Sequence, residues 1–181
     1  MKLNTKRLIL RDWNKKDLDD LVEGLNNLEV TKWLIFAPYP YTKRDAKKWI
    51  KYCIKNSKKG NKRNSYDFAI ELKANKKVIG GLSLDKINRT QGTAGGGIWL
   101  NANYHGHGYG TEAFQEKIKF AFNKLKLRRL ENGFLKGNPS SFKMQKKLGY
   151  KIEGIKRKAF KCMADGKIKD EYVTGLLREE C

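Results

Sequence analysis

The segment Ile98-Trp-Leu-Asn-Ala-Asn-Tyr-His-Gly-His-Gly-Tyr-Gly-Thr-Glu-Ala113 constrains the fold most tightly: an apolar strand runs through a glycine-rich turn directly into a helix. Gly106, Gly108 and Gly110 carry no side chain and accept positive φ, so successive backbone N–H groups can converge on an anion at the positive end of the following helix. The pattern implies a phosphorylated cofactor, with a plain flexible connection as the alternative. Two common nucleotide motifs do not fit. A dinucleotide fingerprint needs its third glycine three residues after the second, where Thr111 stands, and a P-loop ends in Gly-Lys-Ser/Thr, whereas this turn ends in Tyr-Gly-Thr.

At 181 residues the chain reads as one domain, 1–181, large enough to bury a core without disulfides. Cys53, Cys162 and Cys181 are far apart and unaccompanied by clustered histidines, which supports neither a disulfide framework nor a metal site. No apolar run is long enough to span a membrane and no signal-peptide pattern is visible, so the expected location is the cytoplasm. The formal net charge of +21 predicts attraction to polyanions. Lysine and arginine concentrate in 43–63 and again in 143–158. Solvated helix faces are the plainer reading of both stretches, and a weak nucleic-acid contact is the other.

Periodicity supplies the frame around the turn. Leu8–Asp12 predicts a strand, and Asn14 with Asp17 predicts a capped start for a helix carrying Leu18, Leu21, Val22 and Leu25. Thr42 with Asp45 caps a second helix, whose Ala46, Trp49, Ile50, Cys53 and Ile54 share one face. Alternation over 66–72 and 78–84 about the turn at 74–76 predicts an antiparallel hairpin. Residues 88–93 read as a polar separator before the strand centred on Trp99. A helix from Tyr109 to about Lys126 carries Phe114, Ile118, Ala121, Phe122 and Leu125. A strand over 130–135 follows, then a helix with Asn138 as N-cap and Pro139 at its first position, ending at Gly149. Strands over 150–153 and 171–177, joined by a turn near Asp165-Gly166, close the chain.

The turn, followed by a helix, a strand, Asn138-Pro-Ser-Ser141 and Lys147-Leu-Gly-Tyr150, resembles the acetyl-CoA-binding core of the GNAT N-acetyltransferases. Thr5-Lys-Arg-Leu-Ile-Leu-Arg11 and the closing run Gly166–Glu180 are similar to the ends of the branch that acetylates ribosomal-protein N-termini. The resemblance covers almost the whole chain. It implies an α/β fold of α+β type: a mixed, mostly antiparallel sheet of six to seven strands flanked by about four helices. The central strands, placed at 97–101 and 129–135, are expected to splay apart and admit the pantetheine arm.

The same resemblance implies acetyl-CoA as cosubstrate and assigns its contacts. Backbone N–H groups of Gly106, His107, Gly108, Tyr109, Gly110 and Thr111 would cradle the pyrophosphate, the Thr111 hydroxyl adding a donor. The main chain of Trp99 and Leu100 would pair with the pantetheine amides, and Asn138 would bond the far end of that arm. A backbone N–H near Leu100 would stabilise the oxyanion. The proton-transfer groups depart from the family pattern. The glutamate many relatives carry on the fourth strand falls near Gly95-Gly-Gly97, which leaves Glu131 through a water, or His105, as base. Glu131 reads equally as a salt-bridged surface carboxylate beside Arg128 and Arg129. The tyrosine common in the last helix is Gln145, which leaves Ser141 either as acid or as a cap or cofactor contact.

A strongly cationic enzyme repels polyamines and attracts acidic or ribosomal proteins, so the first reading of the acceptor is a protein N-terminal α-amine. The second is a small-molecule amine, a polyamine or an antibiotic, which clustered carboxylates at the acceptor cleft would favour. The third is a module that binds acetyl-CoA or RNA without turnover. Monomer and homodimer both stay open.

Overall fold

The alternating residues of 66–72 and 78–84 form the centre of a single mixed sheet. The computed structural model describes residues 1–181, apart from the side chain of residue 61. Its strands are β1 (Lys2–Asn4), β2 (Leu8–Asp12), β3 (Tyr66–Leu72), β4 (Val78–Asn88), β5 (Thr93–Gly95), β6 (Ile98–Leu100), β7 (Arg129–Leu135), β8 (Lys151–Lys161) and β9 (Ile168–Leu177). They run in the order β1-β2-β3-β4-β5-β7-β9-β8, with β6 paired to β4 off that path. Among the described residues, only β5 and β7 pair in parallel.

The helices are α1 (Leu18–Leu25), α2 (Leu28–Thr31), α3 (Lys43–Ser57), α4 (Tyr109–Lys119) and α5 (Pro139–Lys147). Both expected capping boxes form: Asn14 with Asp17 starts a 3-10 turn that leads into α1, and Thr42 with Asp45 starts α3. Beyond α4 the chain makes a π-helical turn over 120–124. One core layer joins Leu8, Phe68, Leu84, Phe114, Leu130 and Leu176 between the sheet and α4. The other joins Trp13, Leu21, Ile50, Cys53 and Ala69 beneath α1 and α3. Among the described residues, no helix is long and apolar enough to cross a membrane.

The expected mixed, mostly antiparallel architecture is present, with nine strands in place of six or seven and five helices in place of four. The additions are β1, β5 and α2, all short. Strand β8 also runs on to Lys161, where its polar sequence gave no sign of a strand; pairing with β9 holds it.

The extra strand β5 has a local cause. Gly96 adopts φ +118, and a Cβ there would stand 2.2 Å from the Ser83 carbonyl oxygen, so only glycine fits. The resulting bulge divides the expected fourth strand into β5 and β6. Strand β5 pairs with both β4 and β7, whereas β6 pairs with β4 alone. From Glu131 onward β7 therefore has β9 on one side and an open gap on the other.

Candidate active site

Hydrogen-bond parity decides which peptide groups face that gap. Ser83 N–H donates to the Gly97 carbonyl and Asn101 N–H to the Ile79 carbonyl, each at 2.9 Å. In an antiparallel pair such bonds fall on alternate residues, so the peptide groups of 97, 99 and 101 are directed at β4 and those of Ile98 and Leu100 at the gap. This corrects the expectation for Trp99: its main chain pairs with Gly81, and its indole packs against Gly24 and Gly81. On the opposite wall, Lys136 N–H bonds the Asp170 carbonyl and Arg178 N–H the Arg128 carbonyl, which leaves the odd-numbered peptide groups of β7, Gly133 among them, facing the gap.

At one end of the gap the turn meets α4. Gly106 and Gly108 hold φ +80 and +78, as the alternating glycines predict. Gly110 is helical instead, and α4 there lies beside Leu100 and Met144 at a spacing that a Cβ would also fit. Gly108 is the N-cap and supplies no side-chain oxygen, so the first amides of α4, from Tyr109 to Thr111, have no cap. These amides and the helix dipole, worth about 0.3–1 kcal/mol, face whatever lies at the turn. Arg7 Nη1 bonds the His107 carbonyl at 2.9 Å, and its guanidinium lies 4.4 Å from the Tyr109 ring centroid. Glu112, in the first turn of α4, receives the Thr5 hydroxyl (2.6 Å), the Arg7 N–H (2.8 Å) and Arg7 Nε (2.7 Å). Burial alone would raise the Glu112 carboxyl, but these three donors outweigh it and hold the group below its ordinary value. Thr5 and Arg7 thus clamp the turn, a role that sequence reading missed.

His105 is exposed, with Nε2 at 2.9 Å from the Leu100 carbonyl. Because a carbonyl only accepts, Nε2 is the donor in this contact. His105 thus occupies one lone pair of the Leu100 carbonyl, whose second lone pair and whose residue's N–H remain open to the gap. His107 Nδ1 similarly donates to the His105 carbonyl at 2.7 Å. Glu131 is exposed and pairs with Arg129 Nε at 3.1 Å, within a ladder in which Arg129 also holds Glu153. The geometry places Glu131 at the base of the gap as a salt-bridged carboxylate.

At the same end, on the β7 wall, Asn138 caps α5, its Oδ1 accepting the Ser141 N–H at 3.1 Å. Gln145 is buried and fully engaged: Oε1 accepts from the Thr174 hydroxyl at 2.6 Å, and Nε2 reaches the Gly133 carbonyl at 3.3 Å and Ser141 Oγ at 3.2 Å. Asn132 Oδ1, on the α5 face of β7, is buried with no donor among the described residues.

Lys117 of α4 is wholly buried beneath the bulge. Its Nζ donates to the Gly96 carbonyl at 3.3 Å and lies 3.5 Å from the Phe114 ring centroid. Burial pushes the ammonium down to about 7, against a partial opposing pull from Asp85. Sequence reading missed Lys117, although three residues after Phe114 and four before Ala121 it falls inside the apolar stripe of α4.

These features fit acetyl-CoA. Uncapped amides at α4 suit a pyrophosphate, the outward peptide groups of Ile98 and Leu100 suit the pantetheine amides, and Asn132 Oδ1 is an acceptor without a donor. Known proteins agree. A family model described as an acetyltransferase (GNAT) domain matches residues 7–151. The uncharacterized N-acetyltransferase p20 of Bacillus licheniformis is 32% identical over 178 residues, covering 98% of this chain and 97% of its own. Among solved structures, ribosomal-protein-S5-alanine acetyltransferase from Vibrio fischeri superposes with a TM-score of 0.78 at 18% identity, covering 99% of this chain and 98% of that one. Spermidine N-acetyltransferase from Vibrio cholerae, in complex with CoA and spermine, gives 0.79 at 19% identity, covering 96% and 97%. The chain belongs to the GNAT acetyltransferase family. It is an N-acetyltransferase with acetyl-CoA as cosubstrate.

Proposed function

We propose that the acceptor is the α-amine at the N-terminus of a protein or peptide, acetylated by direct attack on the thioester. In this reading the turn from Gly106 to Thr111 holds the pyrophosphate, Ile98 and Leu100 hold the pantetheine arm, and Leu100 N–H stabilises the oxyanion. The amine nitrogen bonds the acetyl carbon, the carbon–sulfur bond breaks, and the proton lost by nitrogen ends on the thiol. Ser141 donates the hydrogen bond that the departing sulfur needs.

The observation that carries the choice of acceptor is the rim beside the gap. Met163 N–H donates to the Ile35 carbonyl at 3.1 Å, which brings the exposed side chains of Phe36 and Met163 to one edge. Trp33, in the same loop, lies within 3.5 Å of where a Cβ on Gly137 would stand, so this rim meets the end of β7. An apolar rim suits a peptide side chain better than a polyamine. The carboxylates on this side, Glu131, Glu153 and Glu171, are each already paired with Arg129 or Lys156, which weakens their pull on a further cation. The net charge of +21 also repels polyamines.

A small-molecule amine is the second reading, favoured by the likeness to the spermidine enzyme. Thiol release from acetyl-CoA, measured with peptides beginning Ser or Ala and with spermine, decides between them. Turnover with a peptide and none with spermine is the expected result, and turnover with spermine alone contradicts it.

A further inference from the structure

Gln145 is an amide and cannot give up a proton. Its three contacts show what it does instead. Gly133 offers a carbonyl, which only accepts, so the end of Gln145 that meets it must be the NH2 end. The other end is then the carbonyl oxygen and must accept from Thr174, as its 2.6 Å contact requires. With the amide orientation fixed from both sides, the second N–H of Nε2 points at Ser141 Oγ, which becomes the acceptor. Ser141 has a single hydroxyl proton, and its backbone N–H is already spent on Asn138. No hydrogen bond from that hydroxyl to a carbonyl of its own helix is found among the described residues, where Ser141 Oγ is met only by Gln145 Nε2. The hydroxyl lies beside the gap, because the Gly133 carbonyl that anchors Gln145 faces the gap.

We propose that Gln145 is a positioning residue that fixes the Ser141 hydroxyl as a donor toward the departing sulfur, with Thr174 and the Gly133 carbonyl locking Gln145 in turn. A hydroxyl that accepts one hydrogen bond donates the next more strongly, so the chain Thr174–Gln145–Ser141 both aims and polarises the O–H. During transfer the carbon–sulfur bond breaks with its electron pair on sulfur. Ser141 donates to that sulfur, and the proton it ultimately receives is the one lost by the acceptor nitrogen, so no further reactant is required. The inference rests on the reading of Ser141 as that donor.

The test compares steady-state thiol release from acetyl-CoA, with the Ser- and Ala-initiated peptides and spermine as acceptors, across a set of variants. Ser141→Ala lowers kcat by about 100-fold. Gln145→Met lowers it by about tenfold, with KM for acetyl-CoA within about twofold, and adds nothing in the Ser141→Ala background. Thr174→Val moves kcat in the same direction as Gln145→Met, and Thr174→Ser, which keeps the hydroxyl, recovers the rate. Thermal melting shows which variants are folded, and if Gln145→Met is not, the Thr174 pair carries the test. A loss in Ser141→Ala with none in Gln145→Met or Thr174→Val overturns the positioning role and leaves Ser141 as donor. A Gln145→Met loss that persists in full on the Ser141→Ala background also overturns it. An unchanged kcat in Ser141→Ala removes the reading of Ser141 and this inference with it.

Discussion

Helices α4 and α5 both begin beside the gap, and they begin in opposite ways. Helix α5 closes its own N-terminus: Asn138 Oδ1 takes the Ser141 N–H, and Pro139 has no N–H to satisfy. Helix α4 begins at Gly108, which has no side chain to offer, so its first amides remain open. The same contrast recurs deeper in the helices. The inward polar residue of α5, Gln145, has three partners, whereas Lys117 of α4 has one backbone carbonyl and an aromatic face. One helix satisfies its own polar groups and serves as a support. The other leaves its first amides open where an anion is expected and holds Lys117 by a single hydrogen bond.

Giving α4 the kind of cap that α5 has is the strongest way to break this contrast. Gly108→Asp places a carboxylate beside the open amides, with added backbone strain at φ +78, and is expected to raise KM for acetyl-CoA by about 1,000-fold, the loss of two or more charge-assisted hydrogen bonds plus repulsion. Helix α4 itself should still form, which far-ultraviolet circular dichroism checks.

Lys117→Met removes the buried amine. The folded ammonium titrates near 7 against an ordinary value of 10.5, so between those values the unfolded chain holds a proton that the folded chain does not. The native protein should gain stability as pH rises through that window and carry the full penalty below it. Denaturant unfolding at pH 7 should find Lys117→Met more stable by on the order of 3–5 kcal/mol, with the difference vanishing by about pH 10.5.

Asn138→Ala opens the closed helix and should cost about 1 kcal/mol of stability. A change in acetyl-CoA affinity of less than about threefold would mark Asn138 as a cap alone; a loss above about tenfold would give it the contact with the pantetheine arm as well. The smallest effect is expected for His105→Gln, which keeps a donor for the Leu100 carbonyl. Its kcat should change by far less than the ~100-fold that loss of a general base costs.

Much of this contrast is legible in the sequence, because caps and turns are local. Asn138-Pro139, Thr42 with Asp45 and the glycines at 106 and 108 each state a backbone conformation within a few residues, and each is found where expected. The gap is not legible in that way. Gly95-Gly-Gly97 has no side chains to alternate, so the split between β5 and β6 emerges only from the contact of Gly96 with Ser83. Which peptide groups face the gap follows from pairing with distant strands, and the reading of Trp99 failed for that reason. Strand β8 is invisible to hydrophobic pattern because most of it is exposed. Lys117 and Gln145 are single polar residues on helical faces, and the partners that give them meaning lie 21 and 29 residues away for the Gly96 and Thr174 contacts.

The central claim is that the open start of α4 binds the pyrophosphate of acetyl-CoA. Calorimetric titration of the native protein and Gly108→Asp with acetyl-CoA and with acetyl-pantetheine, which lacks the pyrophosphate, tests it most directly. The substitution should abolish the advantage of acetyl-CoA over acetyl-pantetheine while leaving acetyl-pantetheine binding unchanged. Equal weakening of both ligands, or no change in either, would contradict it.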